Sequence, residues 1–191
     1  MIYLKKIAVY CGASTGNNPH FKDAAVELAK WIVSHNYELI YGGGKYGLMG
    51  TLANTVLNNG GKVTGIIPKN LFDRNVALAS ITKLEVVSDM ALRKKRMIEL
   101  ADVCLALPGG AGTLEEIVEA YSWARIGDNP NPCVLLNIDH YYDLLEQFFN
   151  QMVDKDFLST AHLNKLCFAK SLNEAAAFIH TYSPPKLRSY Q

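Results

Sequence analysis

Three times along this chain of 191 residues, a short apolar run gives way to a glycine-rich turn and then to a helical repeat. The runs are residues 7–10, 38–41 and 103–106, and the turns that leave them span residues 12–16, 42–47 and 109–112. Strands that are solidly apolar and separated by amphipathic helices pair in parallel and need helices on both faces. The fold class is therefore α/β, a doubly wound parallel sheet. Further strands are expected at residues 63–67, 81–87, 133–136 and 165–168. Helices are expected at about 21–34, 48–57, 90–100, 141–152 and 173–180, and another starts at Leu114. Residues 69–80 carry no clear period. One domain is expected over residues 1–182, followed by a loose tail, 183–191, that opens on Ser183-Pro184-Pro185. In such sheets ligands bind beyond the carboxyl ends of the strands, where strand order reverses. All three glycine turns are expected at that rim.

The third turn carries the most chemistry. In Leu107-Pro108-Gly109-Gly110-Ala111-Gly112-Thr113-Leu114-Glu115-Glu116, a proline and three glycines let the backbone turn sharply and approach a ligand. Leu114, Ile117, Val118 and Tyr121 follow at helical spacing. The free N–H groups of a helix start make a ready anion site. Glu115 and Glu116 are expected in the first turn, beside that cradle.

The second turn, Gly42-Gly43-Gly44-Lys45-Tyr46-Gly47, satisfies G-x-G-x-x-G, the pattern of a dinucleotide site. It follows the second strand, however, and the next strand ends on Gly65-Ile66-Ile67-Pro68 with no acid for a ribose hydroxyl. No Gly-Lys-Ser/Thr follows, so a Walker A loop is excluded as well. What remains is a turn whose amides face a phosphate or sugar.

In Met90-Ala91-Leu92-Arg93-Lys94-Lys95-Arg96-Met97-Ile98, counting from Met90 places Lys94 in the middle of the apolar stripe, with Arg93 at its border. A lysine so placed requires an anion, either a substrate phosphate or a carboxylate such as Glu116. Arginine suits bidentate recognition of either group. Glu119, four residues on from Glu115, is expected to face solvent with it.

Composition narrows the partners. With 49% apolar and 19% charged residues and a net charge of +1, the chain is globular and carries no footprint for nucleic acid or an anionic membrane. No apolar run is long enough for a membrane span, and Met1-Ile2-Tyr3-Leu4-Lys5-Lys6 lacks a signal-peptide pattern. The four cysteines, Cys11, Cys104, Cys133 and Cys167, lie in or beside strands without CxxC spacing, which suggests buried thiols in a reducing, cytoplasmic setting. None of the five histidines has ligand spacing, so neither metal nor cofactor is expected.

Pro108-Gly109-Gly110-Ala111-Gly112-Thr113-Leu114-Glu115-Glu116 matches the PGGxGTxxE motif of the Lonely Guy family, the cytokinin-activating phosphoribohydrolases. Met90, Arg93 and Lys94 fit the family's Met-His-x-Arg-Lys stretch, and residues 42–50 fit its GGGxxGLMG turn. Cys11-Gly12-Ala13-Ser14 is similar to its first loop, so the likeness runs from about Ile7 to Phe178. The resemblance implies a Rossmann-like domain that hydrolyses a nucleoside 5′-monophosphate to free base and ribose 5-phosphate. It implies catalytic roles for Arg93 and Glu116. Substrate contacts are implied at Lys94, at Gly110, Ala111, Gly112 and Thr113, and at the hydroxyl of Ser122. Gly12, Ser14, Gly43, Gly44, Met90, Gly109 and Glu115 complete the candidate set. Relatives are dimers or larger assemblies with sites near the subunit interface, so a homodimer is expected.

One departure bears on substrate preference: Ala91 stands where the family has histidine. Relatives have also carried a lysine-decarboxylase label, but that chemistry normally needs a pyridoxal Schiff-base lysine on a larger scaffold. The alternative reading is a nucleotide- or cofactor-binding carrier without turnover. A carrier would need only the backbone amides, whereas Arg93 together with Glu116 favours an enzyme.

Overall fold

The computed structural model describes residues 5–187. Most of the leader reading at the N-terminus and the last four residues of the expected tail lie outside them. The described chain runs β1 (Lys5–Tyr10), α1 (Pro19–Ser34), β2 (Tyr37–Tyr41), α2 (Gly47–Asn58), β3 (Val63–Pro68), α3 (Lys69–Phe72), β4 (Lys83–Val87), α4 (Met90–Leu100) and β5 (Val103–Ala106). It continues with α5 (Ala111–Ile126), β6 (Cys133–Leu136), α6 (Asp143–Asp154), α7 (Thr160–Leu163), β7 (Leu166–Ala169) and α8 (Leu172–Thr181).

The strands form one sheet in the order β4-β3-β2-β1-β5-β6-β7, and every pairing is parallel. The chain winds outward from β1 in one direction, then returns to β1 and winds the other way from β5. Strand order therefore reverses between β1 and β5, where Tyr10 sits opposite Ala106. This is the Rossmann-like, doubly wound fold expected from the alternation of elements.

Burial explains the solidly apolar strands. One core packs Leu28 and Ile32 of α1, Leu48 and Leu52 of α2, and Ala175 of α8 against one face of the sheet. The other packs Met97 of α4, Ile117 and Tyr121 of α5, and Phe149 of α6 against the opposite face. The central strands meet apolar neighbours on both sides, which removes any two-residue alternation.

The structure departs from expectation in four places. Residues 69–80 hold the short helix α3 and an isolated bridge from Ala77 to Gly44, so this segment folds over the second glycine turn. The helix expected from Leu114 starts at Ala111, so Glu115 and Glu116 lie beyond its first turn and do not cap its dipole. The short helix α7 was unforeseen, four residues being too few for a helical period to register. Residues 183–187, expected to leave the fold, lie back on it: Lys165 Nζ donates to Ser183 Oγ at 3.0 Å and His162 Nε2 to the Lys186 carbonyl at 3.0 Å.

Candidate active site

The three glycine turns meet at the carboxyl rim beside the switch point. Gly12 N–H donates to the Pro108 carbonyl at 3.1 Å, and Leu48 N–H donates to the Gly12 carbonyl at 3.0 Å. The 69–80 segment closes on the second turn through Lys45 N–H to Val76 O and Leu78 N–H to Gly43 O, both 2.9 Å. A cleft of about 540 Å³ opens between residues 12–17, Pro108, Gly109 and Gly110, with Phe21, Leu48 and Tyr141 on its walls.

Gly110 is the N-cap of α5 and no side chain caps it. The first N–H of this helix to find a helical partner is that of Leu114, which donates to the Gly110 carbonyl at 3.1 Å. The amides of Ala111, Gly112 and Thr113 come before it, at the positive end of the helix dipole, where an anion is favoured. A side chain on Gly110 or Gly112 would meet nothing within 4 Å, so these positions are open, whereas a Cβ on Gly109 would lie 2.2 Å from Thr113 Oγ1. Gly109 is thus small because buried Thr113 packs on it. Ser14 shapes the first turn, its Oγ accepting from Gly16 N–H at 3.2 Å.

Beside this rim lies a buried ion pair. Arg93 Nη1 is 2.8 Å from Glu116 Oε1, and each side chain is 8% exposed. Asp89 caps α4 by accepting from Leu92 N–H at 2.9 Å, which sets where the helix begins. Arg93 Nε donates to the Ile66 carbonyl of β3 at 3.1 Å, and Nη1 lies 3.6 Å from Met90 Sδ. A Cβ on Gly42 would fall 1.9 Å from Arg93 Nη2, so the guanidinium occupies the space that glycine leaves at the end of β2. Burial raises the Glu116 carboxyl above the usual glutamate range, and the opposing pull of Arg93 does not cancel it. A buried ion pair is poor evidence for stability, but a carboxylate with a perturbed pKa beside an anion cradle is a candidate acid–base group.

Lys94 takes other partners than the one expected. The buried residues of α4 are Arg93, Met97 and Ile98, while Met90 is exposed. Arg93, expected at the border of the stripe, is its most buried charged residue at 8% side-chain exposure, while Lys94 is largely buried as expected, at 12%, but meets other carboxylates than Glu116. Lys94 points toward α5, where Nζ lies 2.7 Å from both Glu115 Oε1 and Glu119 Oε2. Its carboxylate partners are thus Glu115 and Glu119 instead of Glu116, and Glu119 is not turned to solvent. Glu115 and then Glu119 raise the Lys94 pKa, which holds the amine charged and unsuited to act as a nucleophile.

The other candidates scatter. Gly43 and Gly44 are buried in the second turn, Gly43 in the left-handed region at φ 75°. Ser122 is exposed and lines an apolar groove between α5 and α6, away from the cleft. Tyr121, part of the apolar spacing that marked α5, is core, its hydroxyl donating to the His162 carbonyl at 2.9 Å. The residue that sequence reasoning missed is Tyr141, whose hydroxyl donates to the Gly109 carbonyl at 2.6 Å. Its signal was its position just past the carboxyl end of β6, at the same rim. Among the described residues no group of three His, Cys, Asp or Glu is placed to hold a metal ion. No described helix is long and apolar enough to cross a membrane.

Fold and site together define a Rossmann-like α/β domain with a glycine-turn cradle and a buried arginine–glutamate pair at its switch point. A family model described as "Possible lysine decarboxylase" matches residues 49–179. The cytokinin riboside 5′-monophosphate phosphoribohydrolase LOG1 of Arabidopsis thaliana is 41% identical over 180 residues, covering 94% of this chain and 84% of that one. The probable cytokinin riboside 5′-monophosphate phosphoribohydrolase LOGL6 of Oryza sativa subsp. japonica is 40% identical, covering 94% of this chain and 72% of that one. The chain belongs to the Lonely Guy family, whose members are named as cytokinin riboside 5′-monophosphate phosphoribohydrolases. Among solved structures, the molybdenum cofactor carrier protein of Chlamydomonas reinhardtii superposes with TM-score 0.70 at 20% identity, covering 93% of this chain and 97% of that one. The molybdenum cofactor binding protein of Rippkaea orientalis superposes at 0.72 and 21% identity, covering 95% and 98%. At that identity the likeness concerns the fold alone.

Proposed function

We propose that this protein hydrolyses the N-glycosidic bond of a nucleoside 5′-monophosphate, cytokinin riboside 5′-monophosphate or an AMP-like nucleotide, giving free base and ribose 5-phosphate. The observation that carries the reading is the 2.8 Å Arg93–Glu116 pair, buried beside the uncapped start of α5. The 5′-phosphate docks on the amides of Ala111, Gly112 and Thr113, which anchors the sugar for attack. The bond from C1′ to the base nitrogen breaks, its electron pair leaves with the base, and the sugar passes through an oxocarbenium-like state. Glu116 stabilises that charge and takes a proton from the water whose oxygen bonds to C1′; the leaving base gains a proton in turn. Arg93, fixed by the Ile66 carbonyl, aims the carboxylate.

The partner we propose is a second copy of the chain. The groove between α5 and α6 is lined by Leu114, Val118, Trp123, Leu145, Phe148 and Met152 and reaches Ala111 and Glu115 of the glycine-turn motif. Phe148 is 54% exposed there and nearby Leu144 is 79% exposed, more apolar surface than a monomer needs to show. A dimer through this face puts each site near the interface and accounts for Ser122 lying in the groove. The free thiols, three of them buried, fit a reducing, cytoplasmic setting.

The test is product analysis. Purified protein is incubated with AMP, its N6-isopentenyl analogue and the matching nucleosides, and free base is followed by chromatography. Release from monophosphates only is the expected result, and the analogue's relative rate reports the base preference. Tight nucleotide binding with no release from any of them would overturn the hydrolase in favour of a carrier.

A further inference from the structure

We propose that Tyr141 is a positioning residue of this site and that, with Phe21, it walls a subsite for the sugar–phosphate end of a nucleotide; this deepens the hydrolase reading and rests on it. Two consecutive tyrosines bracket the segment that leads from β5 into the anion turn. Tyr142, buried, donates its hydroxyl to the Leu107 carbonyl at 2.7 Å, and Tyr141, on the rim, donates to the Gly109 carbonyl at 2.6 Å. The Gly109 carbonyl belongs to the peptide that also carries the N–H of Gly110, immediately before α5. Holding that oxygen sets the plane of the peptide and hence the direction in which the following amides point. Gly109 and Gly110 cannot hold this plane themselves, since glycine restricts the backbone least.

The turn that delivers Tyr141 is built against its own backbone preference. Asp139 and His140 both adopt left-handed conformations, at φ 48° and 64°. Adjacent non-glycine residues in that region persist only where neighbours over-determine them. Here the Asp139 carboxylate accepts from Asn18 Nδ2 at 2.8 Å and His20 Nδ1 at 2.6 Å, tying the turn to the start of α1. His140 Nδ1 in turn lies 3.0 Å from Asp143 Oδ2. Phe21, from the same start of α1, meets the Tyr141 ring edge-to-face with centroids 5.3 Å apart. Both rings border the 540 Å³ cleft together with the glycines of the first and third turns. Aromatic walls with a few fixed polar groups suit the apolar face of a ribose whose phosphate sits on amides. Strain held by three side chains from two segments thus serves to place one exposed hydroxyl and one ring.

The experiment compares wild type with Tyr141→Phe, which keeps the ring and removes the hydroxyl, and Tyr141→Ala, which removes both. KM and kcat are measured with AMP, ribose 5-phosphate affinity by calorimetry, and melting temperature for each protein. Tyr141→Phe is expected to melt with wild type, raise KM and weaken ribose 5-phosphate binding by about tenfold, and leave kcat within about twofold. Tyr141→Ala is expected to weaken both further. An unchanged KM and ribose 5-phosphate affinity in Tyr141→Phe would overturn the proposal, as would a loss of kcat at constant KM or no ribose 5-phosphate binding by wild type. Should wild type release no base from any nucleotide, the hydrolase reading falls, and calorimetry alone still decides the role of Tyr141.

Discussion

Replacing Glu116 by Gln keeps the shape that faces Arg93 but removes the charge and the basic oxygen. Base release from the monophosphate is expected to fall by at least about 10²-fold, read by chromatography, and leaving the buried Arg93 guanidinium without its counter-charge should lower the melting temperature. Arg93→Ala removes the other partner: it strands a carboxylate that is 8% exposed, and about 3–5 kcal/mol of stability should go with the activity, measured by urea unfolding. The pH profile follows from the same environment. In the proposed mechanism the reaction needs the carboxylate form of Glu116, so the rate should climb as pH rises through its pKa. Burial has raised that pKa, so the acid limb of kcat/KM should lie above the ordinary glutamate value of about 4.3. An acid limb at or below that value would contradict the assignment. At this scale the sequence named both partners of the pair and the need of Lys94 for an anion, but placed Arg93 only at the border of the buried stripe. Arg93 and Lys94 are adjacent and both charged, and hydropathy does not tell them apart.

Elements bring these residues together. Arg93 comes from α4, Glu116 from α5, the Ile66 carbonyl from β3, and the room for the guanidinium from the turn after β2. Gly42→Ala tests that arrangement, since the added Cβ would lie 1.9 Å from Arg93 Nη2 and must push the guanidinium off Glu116. The expected outcome is a drop in kcat of about 10²-fold with KM for AMP nearly unchanged, as for a small misplacement of a catalytic group. Activity equal to wild type would show that Arg93 does not need this position. The glycine was legible as part of a motif, but its purpose was not, because its reason is a side chain 51 residues away. Element order was largely legible, since the central strands are solid apolar runs and the long helices between them carry their own hydrophobic period. Helix α3, helix α7 and the start of α5 were not, as they depend on a few hydrogen bonds that leave no period.

For the whole molecule, the exposed face of α5 and α6 predicts the assembly. Light scattering on wild type should report a dimer, and Phe148→Glu, which puts a charge into the groove without touching the cleft, should report a monomer with reduced turnover. Wild type that is monomeric at micromolar concentration would remove the interface. By itself the sequence determined the class of fold, the three glycine turns and the identity of the catalytic candidates, because apolar periodicity, glycine and proline chemistry and a linear motif are all local properties. The tertiary structure alone decided that Arg93 and not Lys94 meets Glu116, that Lys94 bridges Glu115 and Glu119, and that Tyr141 reaches Gly109. Those pairings join segments 21 to 32 residues apart, and their partners are set by strand order, helix phase and burial once the sheet has closed.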